Sequence, residues 1–175
     1  MKALLDGLLP RLLPSLRLDD TLFVIAFDGK ADLRKRLRSR LRAWPEHTSF
    51  IVMRDNDGGD CKAIKADFVA ICADAGRPDA VVRIVCQALE AWYFGDPVAV
   101  AEAFGDPKFV EAAGKSAYRD SDAIVNPHSE LKKHVPYQKV SGSRVLAAHL
   151  DPERSRSGSF QAFWKSVARV ADRLP

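Results

Sequence analysis

Asp55 and Asp57 stand one residue apart at the end of an apolar run, in "FIVMRDNDGGDC" (50–61), and a glycine pair follows them. In extended backbone, residues i and i+2 project to the same side about 6 to 7 Å apart, so two carboxylates at this spacing can reach one hydrated divalent cation. Mg²⁺ asks for little more, being held by one or two carboxylates, several waters and the phosphate oxygens of a substrate. Gly58 and Gly59 would permit a tight turn and a close approach of phosphate to the backbone. The same residues also suit a metal-free strand-to-helix turn, in which Asp57 and Asp60 bond local N–H groups. Spacing leaves both readings open. An EF-hand is excluded, because the sixth residue counted from Asp55 is Asp60 instead of Gly and the twelfth is Ala66 instead of Glu.

Other charged residues bear on the same chemistry. Glu90 follows the run "AVVRIVC" (80–86) and so falls near the same sheet edge as the aspartates; it serves either a metal or the dipole of a helix that begins there. Asp96, before Pro97, reads as a helix-ending residue. Arg34, Arg38 and Arg42 belong to a basic run that either is a solvated helix face or neutralises phosphates and makes binding salt-dependent. Lys139 and Arg144 bracket "VSGS", where a helix N-terminus could grip phosphate. Walker-A, Rossmann and G-x-S-x-G patterns are absent, and His47, His128, His134 and His149 show no HExxH or other paired ligand spacing.

The elements that must position these residues follow from hydrophobic period and turn signals. Leu4, Leu5, Leu8, Leu9, Leu12 and Leu13 predict an opening amphipathic helix disturbed near Pro10. "TLFVIAF" (21–27) predicts a strand, residues 32–44 a basic helix with Leu33, Leu37 and Leu41 as its apolar stripe, and "SFIVM" (49–53) a strand covered on both faces. Asp60 caps a helix running to about Ala75, "AVVRIVC" is the next strand, and "QALEAWYFGD" (87–96) starts as a helix. Alternation of this kind predicts an α/β fold, a parallel sheet flanked by helices. Residues 97–175 read as a less regular helical part: a short helix at 99–104, an extended loop with short helical pieces over 105–135, a helix in "SGSRVLAAHL", and a last helix capped by Ser159 that faces inward with Phe160, Phe163, Val167 and Val170.

At 175 residues and 47% apolar content, the chain is expected to be a single soluble domain, with an α/β core over about 1–96 and a helical extension over about 97–175. Its net charge of +4 leans towards polyanionic partners. Cys61, Cys72 and Cys86 form no CxxC pair, so neither a disulfide framework nor a thiolate zinc site is indicated, and a cytoplasmic location is expected. The leucine-rich start carries Asp6 and Arg11 and lacks a cleavage pattern, and no uncharged apolar run is long enough for a bilayer, so neither signal peptide nor membrane partner is expected.

Five segments together, "GKADLRKRLRSRLRAW", "MRDNDGGDCKAIKA", "VRIVCQALEAWYFGD", "YQKVSGSR" and "RSRSGSFQAFW", resemble the bacterial family called domain of unknown function 4276, which looks Toprim-like and related to OLD-type nucleases. The resemblance implies a compact Toprim-like sheet holding Mg²⁺ for phosphodiester chemistry, with Asp55 and Asp57 as the D-x-D pair and Glu90 at a downstream acidic position used for a second metal. Lys139 matches the lysine of the family's YxK segment. It also implies an ATPase partner and a role in phage defence. The family's first strand, which supplies the Toprim glutamate, lies before the leucine-rich helix, whereas here Met1 starts at that helix. An α/β unit beginning with a crossover helix shows the same gap.

These readings converge on a Mg²⁺-dependent nuclease, or related phosphotransfer enzyme, acting on DNA or RNA, with Asp55, Asp57 and Glu90 at the metal and Arg34, Arg38, Arg42, Lys139 and Arg144 on the nucleic acid. The alternative is a non-catalytic nucleic-acid or ATPase-binding module with a degenerate metal site. A sugar-nucleotide transferase using D-x-D with Mn²⁺ is disfavoured by the short chain, although Mn²⁺ could replace Mg²⁺ in the nuclease.

Overall fold

The computed structural model describes residues 1–173. Two parallel strands, β1 (Ile51–Asp55) and β2 (Val81–Val85), pair in register from Ile51 with Val81 to Asp55 with Val85. The helix α3 (Cys61–Asp74) makes the crossover between them, as parallel pairing requires. Two helices precede the sheet, α1 (Lys2–Leu12) and α2 (Gly29–Arg42). Six follow it: α4 (Glu90–Gly95), α5 (Pro97–Phe104), α6 (Lys108–Ala113), α7 (Pro127–Lys132), α8 (Lys139–Ala147) and α9 (Gly158–Ala171). Strands alternating with helices and an irregular helical second part agree with the expected α/β class.

Side-chain alternation along the strands sorts the apolar residues into two cores. Val52 and Val82 pack with Leu33, Leu37 and Leu41 of α2 and with Phe68 and Cys72 of α3. Ile51, Met53 and Val85 face the larger core, where Leu4 and Leu8 of α1 meet Trp92, Leu146, Phe160 and Phe163. Asp55 shares the period-two face of Ile51 and Met53 and so belongs to the side of the larger core.

Pro10 stays inside α1 without ending it, and Leu4, Leu5, Leu8 and Leu9 are buried as their spacing requires. Arg11 donates to the carbonyls of Ala147 and Leu150, which α8 leaves open at its end. At Gly7 an added Cβ would come within 2.8 Å of the Ala147 side chain, so the two helices approach too closely there for a larger residue.

Three expectations are corrected. Residues 21–27 form no strand: Leu18 and Leu22 make one isolated bridge, and Phe23 to Ala26 enter no backbone hydrogen bond among the described residues. The physical reason is that among the described residues no strand lies alongside to complete a ladder, and a cavity is lined by both this segment and β1. Second, β1 begins two residues later than the apolar run and includes Arg54 and Asp55, because pairing with β2 continues to Val85. Third, Ser157 instead of Ser159 caps α9, accepting from the Phe160 N–H at 3.1 Å. Ser159 is otherwise engaged, with the Trp92 indole and the Asp122 carboxylate.

Candidate functional site

Asp55 and Val85 end the two strands side by side, and the carboxyl edge of a parallel α/β sheet is where such folds bind ligands. Asn56 ties the two strand ends together: its side-chain carbonyl accepts from the Gln87 N–H, and its amide donates to the Gly59 carbonyl at 2.9 Å and to the Cys61 sulfur at 3.2 Å. The backbone adds Asn56 N–H to Val85 and Asp57 N–H to Gln87, at 3.0 and 3.1 Å. Gly58 lies in the left-handed region at φ +77°, which explains one of the two glycines, and Asp60 caps α3 as expected, accepting from Lys62 and Ala63.

Asp55 is half-buried, and its Oδ1 is sheltered from solvent without any hydrogen-bond partner. Its carboxyl is raised from the ordinary 3.8 to about 6, by burial first and then by Glu90 and Asp57, with the terminal amine and Lys139 pulling the other way. Two further carboxylates and a lysine thus act on Asp55. Their arrangement differs from a single extended strand. Asp57 has turned into the left-handed region at φ +48°, is exposed, and pairs with Lys30 of α2 at 3.3 Å. The i, i+2 argument therefore does not describe how these two carboxylates meet.

Glu90 begins α4 and is 5% exposed. Its Oε1 accepts from the Tyr137 hydroxyl at 3.2 Å and lies 3.1 Å from the His128 Nδ1. Ser143 joins the network, bonded to Tyr93 at 2.8 Å and to Tyr137 at 3.1 Å. Burial, followed by the Glu90 charge, pushes the Tyr137 hydroxyl far above its usual value, so it remains a donor. Asn56, His128 and Tyr137 were missed in the sequence. Only the proximity of Tyr137 to Lys139 in "YQKVSGS" hinted at one of them.

Lys139 is the first residue of α8, exposed and close enough to Asp55 to relieve its repulsion. Arg144 is exposed on the same helix and has no ion-pair partner among the described residues. The three arginines expected on nucleic acid also make contacts within the chain: Arg34 pairs with Asp67 and Arg38 with Asp74 at 2.8 Å, and Arg42 donates to the Asp74 carbonyl at 2.7 Å. Their i, i+4 stripe clamps α2 to α3. Asp96, fully buried, accepts from the N–H groups of Ala99 and Asp151 and from Arg154, an internal role in keeping with its reading as a structural residue.

A cation suits part of this arrangement. The sheltered, unpartnered Oδ1 of Asp55 and the mutual repulsion of the carboxylates both favour a positive charge. Among the described residues, however, no three His, Cys, Asp or Glu side chains are grouped closely enough to hold one ion. The protein's share of the ligands would thus come from Asp55 with Asp57, the number Mg²⁺ ordinarily takes.

Fold and crevice together define an α/β protein with an acidic site at the carboxyl edge of a parallel sheet. The chain belongs to the family described as Domain of unknown function (DUF4276), whose sequence pattern matches residues 1–168. No curated protein and no solved structure matches it. No described helix is long and apolar enough to cross a membrane.

Proposed function

We propose that the chain is a Toprim-type, Mg²⁺-dependent nuclease or related phosphotransfer enzyme, akin to OLD-type nucleases and working with an ATPase partner in defence against phage. The observation that carries this reading is the sheltered Asp55 oxygen without a partner, set among Glu90, Asp57 and Lys139 at the carboxyl edge of the sheet. Asp55 and Asp57 would hold the ion. When bound, Mg²⁺ would polarise a phosphate and lower the pKa of a coordinated water. Lys139 supplies positive charge at the rim of the crevice, suited to a phosphate oxygen. Glu90, fixed by Tyr137 and His128, keeps negative charge beside Asp55 and so favours a cation there.

The test is cleavage of single- and double-stranded DNA and RNA with Mg²⁺, Mn²⁺ or EDTA, by the chain and by D55N/D57N. Metal-dependent cleavage lost in the double variant is expected; cleavage that survives in it would remove Asp55 and Asp57 from the mechanism. The failure to group three ligands favours a second reading, a non-catalytic nucleic-acid or ATPase-binding module. It predicts salt-sensitive binding without turnover that is indifferent to D55N/D57N.

A further inference from the structure

Three cysteines that no CxxC spacing joins in the sequence are sorted by the fold. Cys72 is buried in the smaller core with Phe68 and the leucines of α2. Cys61 and Cys86 are only part-buried, and they meet at the carboxyl edge of the sheet. Strand register brings this about. Asp55 pairs with Val85, and the N–H groups of Asn56 and Asp57 extend the ladder to the carbonyls of Val85 and Gln87 at 3.0 and 3.1 Å, so Asn56 lies beside Cys86. Val52, Val82 and Ile84 occupy the face that α3 covers, and the period of two carries Asn56 and Cys86 onto it as well. Cys61 is the first residue of α3. Its sulfur accepts from the Asn56 amide at 3.2 Å, while the Asn56 carbonyl holds the Gln87 N–H. One asparagine thus grips Cys61 itself and the residue after Cys86, and the two thiols lie within hydrogen-bonding reach of each other. A disulfide needs its Cβ atoms about 3.5 to 4.5 Å apart, which thiols already in contact reach with little backbone movement.

We propose that Cys61 and Cys86 form a reversible disulfide in response to hydrogen peroxide, with Cys72 left as a free thiol. The Cys61 thiolate attacks one peroxide oxygen: an S–O bond forms, the O–O bond breaks and hydroxide leaves, giving a sulfenic acid. The Cys86 sulfur then gives up its proton and attacks the Cys61 sulfur; the S–S bond forms, the S–O bond breaks and water leaves. Two thiols lose two electrons, and peroxide becomes two waters. Burial, followed by Asp122 and Cys61, pushes the Cys86 thiol up to about 11, which suits the second, resolving role. A dithiol reductant reverses the bridge by exchange. The bridge fastens the first turn of α3 to the end of β2 and encloses the turn that carries Asp57.

The experiment treats the full, reduced chain with hydrogen peroxide, alkylates the remaining thiols and maps a tryptic digest by mass spectrometry without reduction. Trypsin places Cys61, Cys72 and Cys86 in separate peptides, 55–62, 66–83 and 84–108. A single link between the first and the last of these, an alkylated Cys72, and recovery of all thiols with dithiothreitol are expected. Cys86→Ser should halt Cys61 at a sulfenic acid that dimedone traps, and Cys61→Ser should leave Cys86 reduced at the same peroxide; circular dichroism verifies the fold of both. A link to Cys72, disulfides only between two chains, a sulfinic acid on Cys61 of the parent chain without any link, or thiols that all stay reduced where free glutathione is oxidised overturns the proposal.

Discussion

The electrostatics of the crevice gather on Asp55, and they make a measurable claim about stability. Its carboxyl is raised from 3.8 to about 6, first by burial and then by Glu90 and Asp57. Between those two values the folded chain keeps a proton that the unfolded chain has released, so this group favours folding below about pH 3.8 and the advantage is lost as the pH rises through 6. The loss is on the order of 3 kcal/mol. Asp55→Asn removes it. In EDTA at pH 7.5 the variant should melt about 6 to 12 °C above the parent chain, and near pH 4 the two should coincide. A melting difference that persists unchanged at pH 4 would mean that packing, and not charge, sets the effect. The D-x-D spacing drew attention to Asp55 from the sequence alone, although a metal-free strand-to-helix turn suits the same residues equally well. The left-handed turn at Asp57 and the partners of Glu90 were beyond it, since they depend on Gln87, Tyr137 and His128, up to 47 residues away from their partners.

At the scale of the element, the basic helix α2 shows how one sequence pattern supports two outcomes. A stripe of arginines at i, i+4 is equally a nucleic-acid face and one side of a helix-to-helix clamp; which it becomes depends on the acids of α3, a separate segment. Asp67 and Asp74 supply the acids of a clamp. Exposed pairs of this kind contribute less than about 1 kcal/mol each, so Arg34→Ala and Arg38→Ala should barely alter melting and should weaken nucleic-acid binding less than Lys139→Ala. A gel-shift titration over salt concentration measures this; a larger loss from the α2 variants would return the interface to that helix. The residue that fastens α2 in place is Arg77, buried and donating to the carbonyls of Leu41, Trp44, Pro45 and Glu46. Those carbonyls mark the end of α2 and the turn beyond it. Arg77→Met leaves several acceptors dry, and urea unfolding should show a loss of about 3 kcal/mol. Arg77 had no signal in the sequence, where it follows Gly76 as an ordinary loop cation.

For the whole molecule, the division of labour between the cores decides which parts hold longest. The larger core links α1 to the last helix, and its Trp92, Tyr93, Phe94, Phe160 and Phe163 are almost fully buried. The period of leucines in α1 and aromatics in α9 foretold both helices, but the sequence could not tell that their shared core would dominate a sheet of only two strands. "TLFVIAF" had every local property of a strand; what it lacks is a neighbour, and β-propensity expresses packing and pairing more than backbone preference. Stability should therefore be uneven. Amides of Phe23 to Ala26 have no backbone acceptor among the described residues and should exchange at nearly the rate of an unstructured peptide. Those of Val82, Ile84 and the helices around Trp92 and Phe163 should open only with global unfolding, slower by about three orders of magnitude or more. Exchange followed by mass spectrometry separates the two groups directly. Comparable protection in 22–27 and in β2 would mean that this segment already pairs in solution.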